Sequence, residues 1–274
     1  MQTLTTLSIA LVAWAGYTTA GHLIHGTDDS ATVATAQDPA WNWKGVVGKG
    51  KSIEIKGVNG DVRATAGTGS EVVVTAVKKG KKSDPASVTI EVVTSAAGVT
   101  ICAVYPSSGK RKNSCGAGDD GSMSTDNNDV SVNFSVQVPA GVTFVGSTVN
   151  GSVATERLGS DAEVSTVNGD VRVVAAGVVR ASTVNGSVDV SMGKADWTGK
   201  VELSTVNGNI RATLPATFSA VVNGSTVNGS IESEFPLTVE GKFGPRNIHG
   251  TIGAGGRTLD LETVNGSITI AKGS

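Results

Sequence analysis

The chain of 274 residues is long enough for one large or two ordinary domains, and an apolar content of 39% is enough to bury a core, which excludes a disordered protein. A formal net charge of -2 and a pI near 5.9 exclude the strong positive field of a protein that binds nucleic acid or anionic lipid. The 36 glycines, the 4% of aromatic residues and the many Val and Ala residues are typical of strands joined by sharp turns.

The N-terminus resembles an export signal. Residues 7–17, LSIALVAWAGY, form an apolar run of the length of a signal-peptide core, and this run is too short to span a bilayer. No Lys or Arg precedes Lys44, and the cleavage motifs TTA (residues 18–20) and ATA (residues 34–36) leave the cleavage site open. We predict a signal peptide with its tail over residues 1–36 and no transmembrane anchor after cleavage. A short helix packed on the domain is the alternative.

Three further regions follow along the chain. Residues 37–50, QDPAWNWKGVVGKG, are predicted to be a lead-in segment. Residues 51–146 are predicted to be the N-terminal β part of the domain, because stretches such as EVVVTAVKK and SVTIEVVTS alternate with the period of two that strands have. Residues 147–274 form a repeat block.

The two cysteines lie in the second of these regions. Cys102 and Cys115 flank a stretch rich in turn-forming and charged residues, and we predict that they form a disulfide. A disulfide persists only in an oxidising compartment, which here means the periplasm, the cell surface or the extracellular space. Two separate buried thiols, or half of a metal site, are the alternatives. The metal site lacks nearby partners, because the only histidines are His22, His25 and His249.

One short phrase, of the form STVNGSV, recurs through the repeat block at intervals of 16 to 22 residues, and an early copy, GVNGDV, begins at residue 57. A degenerate copy, IHG, stands at residues 248–250. The Asn-Gly pairs that we predict as structural turns are Asn59 and Gly60, Asn150 and Gly151, Asn168 and Gly169, Asn185 and Gly186, Asn207 and Gly208, Asn228 and Gly229, and Asn265 and Gly266.

A period near 20 residues indicates a repeat architecture, and a meander of hairpins is its competitor because Asn-Gly is a strong hairpin signal. In a hairpin around Asn185–Gly186, Val184 would share a face with Asp189 and not with Val188. If each Asn-Gly is instead a corner, every copy can stack on the previous one. Val is then expected inside, Thr and Ser outside, the Asn side chains in a hydrogen-bonded ladder, and Gly at positive φ.

We therefore predict an all-β fold, a parallel β-solenoid (β-helix-like) built from ~16-22-residue rungs with VNG corners. The hairpin meander or a β-sandwich is the alternative.

Several stretches carry a family resemblance. The phrase VNGDV/SI, the strand VQVPAGVTF, the segment ICAVYP with its later Cys, and the ending GTIGAGGRTLDLETVNGSITI resemble the bacterial putative-adhesin family of DUF4097-type β-strand-repeat proteins. The resemblance covers residues 51–270. It implies a right-handed, parallel β-solenoid-like fold on an exported or surface protein, and it brings no catalytic residues.

The sequence contains no catalytic, phosphate-binding or zinc motif. His249 is predicted to replace a corner Asn. The outward acids are interleaved with Arg172 and Arg211, which indicates a solvated face and not the acid cluster of a polysaccharide-cleaving enzyme. These acids are Asp170, Asp189, Glu202, Glu232 and Asp260. We predict no enzyme activity, no cofactor and no metal site.

Each of two loops allows two interpretations. The loop between Asp119 and Asp129 holds four acids and two Asn, so weak Ca²⁺ binding is one interpretation and a plain surface loop is the other. The basic residues 78–82 and 110–112 either contact acidic groups or form solvated turns.

Three functions are compatible with these predictions. The first is an exported, non-catalytic adhesin or surface binding module for a glycan or a protein. The second is an envelope assembly or sensing protein that acts through protein contacts, including homo-association through open solenoid ends. The third is a carbohydrate-active enzyme on the same scaffold. Fold alone does not separate them.

Overall fold

The computed structural model describes residues 32–33, 40–107, 112–193, 197, 200–239 and 246–273. Within these ranges the chain is all-β, and its helical content is one 3-10 turn, Pro85–Ser87. The predicted signal segment lies outside the described residues except for Thr32–Val33, and so do His22 and His25. No helix in the described ranges is long and apolar enough to cross a membrane.

Two long sheets contain almost all of the strands. The first sheet has twelve strands, in the spatial order β1 (Thr32–Val33), β6 (Thr89–Ser95), β7 (Gly98–Val104), β3 (Ser52–Lys56), β11 (Thr143–Ser147), β13 (Ala162–Ser165), β15 (Val179–Ser182), β17 (Lys200–Ser204), β23 (Thr258–Asn265), β19 (Ala220–Asn228), β22 (Asn247–Ile252) and β21 (Thr238–Val239). The second has ten, in the order β2 (Ala40–Gly45), β5 (Val72–Lys79), β10 (Ser131–Val138), β4 (Val62–Ala66), β12 (Val153–Leu158), β14 (Val171–Ala175), β16 (Val188–Met192), β18 (Ile210–Leu214), β24 (Ile268–Lys272) and β20 (Ile231–Ser233). A small hairpin consists of β8 (Ser114–Cys115) and β9 (Gly121–Ser122).

Each repeat copy contributes one strand to each sheet. Strand β13 pairs in parallel with β11 and β15, while β14, on the other side of the same corner, pairs in parallel with β12 and β16. The strands that flank a corner therefore lie in different sheets, which excludes the hairpin meander. We call one first-sheet strand, its corner and the following second-sheet strand a layer.

The layers do not stack in chain order. Their spatial order is β3–β4, β11–β12, β13–β14, β15–β16, β17–β18, β23–β24 and β19–β20. The C-terminal layer, β23–β24, thus lies between two layers that precede it in the chain, whereas the sequence predicted that every copy would stack on the previous one. Because of this order, both backbone edges of β23 and β24 are paired.

Further strands flank the seven layers. At one end β7 pairs in parallel with β3, and β10 pairs in parallel with β4. Antiparallel strands then continue each sheet, with β6 beyond β7 and with β5 and β2 beyond β10. At the other end β22 pairs with β19 and β21 pairs with β22. The second sheet ends there in β20, which has three residues and pairs with β24.

The core lies between the two sheets. Alternate residues of most strands point into it, as in β14, where Val171, Val173 and Ala175 are buried and Arg172 is exposed. The buried side chains form one contiguous hydrophobic cluster along the whole stack. Trp197, Phe218 and Phe235 pack on one another near its end, with ring centroids 5.5 and 5.6 Å apart.

The degenerate copy is not a corner. His249 lies within β22, an antiparallel strand, and its Cα pairs with that of Asn223. The prediction that His249 replaces a corner Asn is therefore wrong. The reason is that the chain turns back at this copy and adds an antiparallel strand to the edge of β19.

Candidate functional site

The seven corners stack into a continuous column of asparagines. Asn168 Nδ2 donates to Asn150 Oδ1 at 2.9 Å, and Asn185 Nδ2 donates to Asn168 Oδ1 at 2.8 Å. The same bond joins every neighbouring pair in the spatial order Asn59, Asn150, Asn168, Asn185, Asn207, Asn265 and Asn228. Each bond fixes the rotamer of an exposed amide, so the column is an ordered polar array.

The threonine of the phrase is buried, which the sequence interpretation missed. Thr166 and Thr183 are 5% exposed, and Thr183 Oγ1 donates to the Gly169 carbonyl of the preceding layer at 2.9 Å. Equivalent bonds of 2.8 to 3.0 Å come from the other five corner threonines, Thr148, Thr166, Thr205, Thr226 and Thr263. The constant Thr in the phrase was the available signal, because a buried carbonyl requires a donor.

The valine of the phrase points outward. Val149, Val167 and Val227 are 37%, 38% and 42% exposed, so the prediction that these valines line the interior is wrong. Inward positions alternate along a strand, and with Val164 and Thr166 inside, Val167 must lie outside. Val58 of the first corner is the buried exception. We call the outward Val and Asn side chains of the corners the corner ridge.

The corner glycines are required by close backbone approach more than by φ. Gly60 has a φ of 120°, and Gly151 and Gly186 have φ near 157°, close to fully extended, while the other four corner glycines are not at positive φ. A Cβ on Gly186 would lie 2.0 Å from the Gly169 carbonyl oxygen, and one on Gly208 would lie 1.9 Å from that of Gly186. The layers approach so closely at the corners that no side chain fits between them.

Replacing Thr183 with valine should lower the free energy of unfolding by about 1 to 2 kcal/mol, because the shape is kept but the Gly169 carbonyl loses its donor. Urea unfolding measures the change. Thr213→Val is the matched control, since Thr213 is half-exposed on β18, and it should change stability by less than about 0.5 kcal/mol. Equal effects of the two substitutions would contradict the role given to the buried hydroxyl.

The ladder predicts a dependence on position. Asn185→Ala removes two side-chain bonds and should cost about 1 to 2 kcal/mol, whereas Asn228→Ala at the end of the ladder removes one and should cost roughly half as much. Chemical denaturation of both variants checks this ratio. A loss of stability in Asn228→Ala as large as that in Asn185→Ala would show that the contributions of the amide hydrogen bonds are not additive.

Two carboxylates on the outer face of the first sheet share one lysine partner. Lys200 Nζ lies 2.7 Å from Asp260 Oδ2 and 3.4 Å from Glu202 Oε2. Its hydrogen bond to Asp260 raises the pKa of Lys200, with a smaller contribution from Glu202. Asn223 Nδ2 donates to Asp260 Oδ1 at 2.7 Å, and Asn223 Oδ1 lies 2.6 Å from Nδ1 of His249. This network links polar side chains across four neighbouring strands, β17, β23, β19 and β22.

The other predicted outward acids lie apart from this network. Asp189 pairs in register between Arg172 and Arg211 on the second sheet. Asp170 Oδ1 accepts the Ser187 N–H at 2.8 Å, and Glu232 lies on the edge strand β20. The five acids are thus not brought together into one cluster.

A disulfide ties a loop to the first sheet. Cys102, fully buried in β7, is bonded to Cys115 in β8, with Cα atoms 5.7 Å apart. Tyr105 follows β7, and its hydroxyl donates to the Val130 carbonyl at 2.7 Å. Burial raises the pKa of this Tyr105 hydroxyl.

A lysine side chain also binds this loop. Lys56 Nζ donates to the carbonyls of Gly116 at 2.6 Å and Asp120 at 3.1 Å, and also to that of Gly118. Glu54 Oε2 accepts the Gly118 N–H at 3.0 Å. A charged side chain of the central strand β3 therefore orders the start of the Asp-rich loop, and no sequence motif pointed to it.

The Asp-rich loop and the basic patch have structural contacts. Asp129 Oδ2 accepts the Lys82 N–H at 2.9 Å, and Asp129 Oδ1 accepts the Ser83 N–H at 2.8 Å. Lys78 is buried, with Nζ donating to the Val88 carbonyl at 3.0 Å. The predicted basic residues 110 and 111 lie outside the described ranges. In the part of the chain that is described, no three His, Cys, Asp or Glu side chains are grouped to hold a metal ion.

The contacts of Asp129 predict that the turn at Lys82 and Ser83 is destabilised by acid. The Ser83 backbone N–H, aided by that of Lys82, lowers the pKa of Asp129 below 3.8. Because the folded pKa is lowered, the stabilisation is present above about pH 4 and is lost as the pH falls through the folded value. The protection of the Lys82 and Ser83 amides against exchange, measured relative to their intrinsic rates, should fall over this acidic range in the wild type, and Asp129→Asn should abolish this pH dependence. Asp126→Asn, in the same loop, should leave it unchanged; its loss there too would refute the assignment.

Comparisons with known proteins found a family model and similar solved structures. The family model described as Toastrack DUF4097 matches residues 117–271, more than half of the chain. One similar solved structure is that of a "putative cell adhesion protein" from Clostridium sporogenes ATCC 15579, with 13% identity, 85% of this chain and 100% of that chain covered, and a TM-score of 0.47. Another is that of a "putative adhesin" from Bacteroides fragilis NCTC 9343, with 13% identity, coverage of 86% and 98%, and a TM-score of 0.38. No curated protein sequence matches the chain significantly. The chain belongs to the Toastrack DUF4097 family.

Proposed function

We propose that this chain is an exported, non-catalytic β-solenoid protein that binds a surface glycan or a partner protein along its corner ridge. In this proposal the layers are the rungs of a solenoid, residues 51–146 contribute its N-terminal part, and residues 147–274 contribute the repeated rungs. Residues 1–36 act as the signal peptide with its tail.

The ordered periodicity of the corner ridge carries the proposal. Successive layers present the same Val and Asn side chains at the spacing of adjacent strands, about 4.8 Å. An Asn amide has two donors and an acceptor with two lone pairs. Within the column one donor and one lone pair join the neighbouring layers, so one N–H and one lone pair per layer face solvent. Because the ladder already fixes the rotamers, binding costs little side-chain entropy.

The partners of the carboxylates support a non-catalytic role. Glycoside hydrolysis needs two carboxyl groups placed on either side of the scissile bond. Glu202 and Asp260 are near each other, but Lys200 bridges them and Asn223 binds the second. Carboxylates that are held by a lysine and an amide in this way are not free to act on a bound glycan.

The disulfide supports export. A disulfide such as Cys102–Cys115 persists in oxidising compartments and is rare where glutathione keeps thiols reduced. It would form after secretion to the periplasm, the cell surface or the medium. The resemblance to exported β-strand-repeat proteins points in the same direction.

An array of glycans and extracellular matrix proteins, probed with the chain from residue 37 onward with and without Ca²⁺, tests the proposal. We expect saturable binding that falls at least about tenfold in a Val149→Lys, Val167→Lys double variant, since a charge on the ridge must be desolvated. Ser191→Lys, on the outer face of β16, is the matched control and should bind normally. A blank array would overturn the binding role, and binding untouched by the double variant would exclude the ridge.

An assembly role is the second candidate, and the open edge of β20 favours it. Among the described residues this strand, Ile231–Ser233, pairs with β24 alone, so its other backbone edge offers donors and acceptors to another chain. Sedimentation equilibrium distinguishes this role. A Ser233→Pro variant should abolish any concentration-dependent association that runs through this edge, because the Ser233 N–H faces away from β24 and proline removes this donor.

A further inference from the structure

The chain contains eight Asn-Gly dipeptides, the sequence in which an asparagine deamidates most readily, because glycine leaves its backbone nitrogen free to attack the neighbouring side chain. They are the seven corner pairs and Asn223–Gly224. Their local sequences are almost the same, so their relative reactivities in the folded chain depend on the structure around each.

Six of the corner glycines have their nitrogen engaged. Gly151 N donates to the Asn168 carbonyl at 2.9 Å, and Gly266 N donates to that of Asn228 at 2.9 Å. The same interlayer bond, of 2.8 to 3.0 Å, is made by Gly60, Gly169, Gly186 and Gly208. The attacking nitrogen therefore points away from its own Asn side chain, and the layer above must open before it can turn.

A seventh dipeptide, Asn223–Gly224, is held within the first sheet. Gly224 lies in the middle of β19, buried, and is paired on one side with β22 and on the other with β23. The Asn223 amide is fixed at both ends, by Asp260 at 2.7 Å and by His249 at 2.6 Å. The two groups that would react, the Gly224 nitrogen and the Asn223 side-chain amide, therefore cannot move freely.

Asn228–Gly229 differs from all of these. Its layer is the last in the stack, so no further layer accepts the Gly229 N–H, which has no hydrogen bond among the described residues. The Asn228 amide keeps one ladder bond, from Nδ2 to Asn265 Oδ1 at 2.7 Å, and no donor in the described part of the chain reaches its Oδ1. Gly229 is exposed, whereas the other corner glycines are half-buried.

We propose that Asn228 is the site at which the folded protein is modified by deamidation. The Gly229 nitrogen bonds to Cγ of Asn228, the Cγ–Nδ2 bond breaks, and ammonia leaves with the proton from Gly229. Water then opens the resulting succinimide ring to aspartate or isoaspartate. The product places a carboxylate at the open end of the corner ridge, and the isoaspartyl form also lengthens the main chain between β19 and β20.

The order of the layers determines which corner is terminal and therefore which asparagine reacts. If the copies stacked in chain order, Asn265–Gly266 would be the terminal corner and the reactive one. In the structure Asn265 is an interior member of the ladder, bonded to both Asn207 and Asn228. The two arrangements thus predict different reactive residues.

The test is to incubate the native chain in warm, mildly alkaline buffer and to measure deamidation at all eight sites by peptide mapping with mass spectrometry. We expect Asn228 to react at least about tenfold faster than each of the others, because each of those must first break interlayer or side-chain bonds. A parallel sample in denaturant should react at all eight sites at similar rates. An Asn228→Gln variant should lose the fast ammonia release in the folded state only.

Three outcomes would overturn the proposal. Fast reaction at Asn265 would show that the layer order is wrong. Similar rates at all sites in the native sample would show that the interlayer bonds do not protect. A native sample unreactive at Asn228, beside a reactive denatured sample, would show that the terminal corner is covered.

Discussion

Replacing Gly208 with alanine should be among the most damaging single substitutions in this chain. The new Cβ would lie 1.9 Å from the carbonyl oxygen of Gly186, and real Cβ atoms do not approach backbone so closely. Layers on both sides prevent relaxation, because Gly208 N is bonded to Asn265 and the Gly186 carbonyl accepts from Thr205. We expect a loss of about 3 kcal/mol or more and a melting temperature lower by about 10 °C.

Gly193→Ala is the matched control for this substitution. Gly193 directly follows the second-sheet strand β16, and a Cβ there would meet its nearest heavy atom, Ala176 Cα, at 3.5 Å, an ordinary contact. Its stability should change by less than about 0.5 kcal/mol. Calorimetry on both variants measures the two changes in stability. A change at Gly208 as small as that at Gly193 would mean that neighbouring corners can move apart to admit a side chain.

Removing the disulfide should have an effect of similar size. A Cys102→Ala, Cys115→Ala double variant opens a loop with a sequence separation of 13, and the chain-entropy model gives a cost of about 3 kcal/mol. The free energy of unfolding from urea titration measures it. The double variant avoids leaving a free thiol beside the buried position of Cys102.

A reductant provides the control. It should lower the stability of the wild type to that of the double variant and leave the double variant unchanged. If the wild type were equally stable with and without reductant, the Lys56 contacts alone would suffice to hold the loop. The expected loss implies that the folded chain is most stable in an oxidising compartment.

Much of the fold class can be predicted from composition and period alone. Many glycines, few aromatic residues and a phrase that returns about every 20 residues indicate an all-β chain with parallel sheets, and both features are confirmed. Burial at the corner does not separate the two candidate arrangements. A hairpin at Asn185–Gly186 would also have placed Thr183 with Val188 inside and Val184 with Asp189 outside, as the structure has them.

The corner itself was harder to interpret, because hydrophobicity ranks Val above Thr for burial. Thr183 is inside since its methyl group packs and its hydroxyl satisfies a carbonyl that no backbone N–H reaches. Lys56 and the Asp129 contacts were also beyond the sequence, because each joins residues that are 46 or more positions apart. Such pairings depend on where the loops return in space.

The sequence by itself determined the all-β class, the repeat period and the absence of a strong charge for nucleic acid. These properties follow from local pattern and composition, which are the same wherever a copy lies. Only the tertiary structure decided that β23–β24 enters between two earlier layers, that His249 lies in an antiparallel strand, and that Asn228 ends the ladder. Nearly identical phrases carry no information about which copy is the neighbour of which, so long-range strand pairing makes that choice.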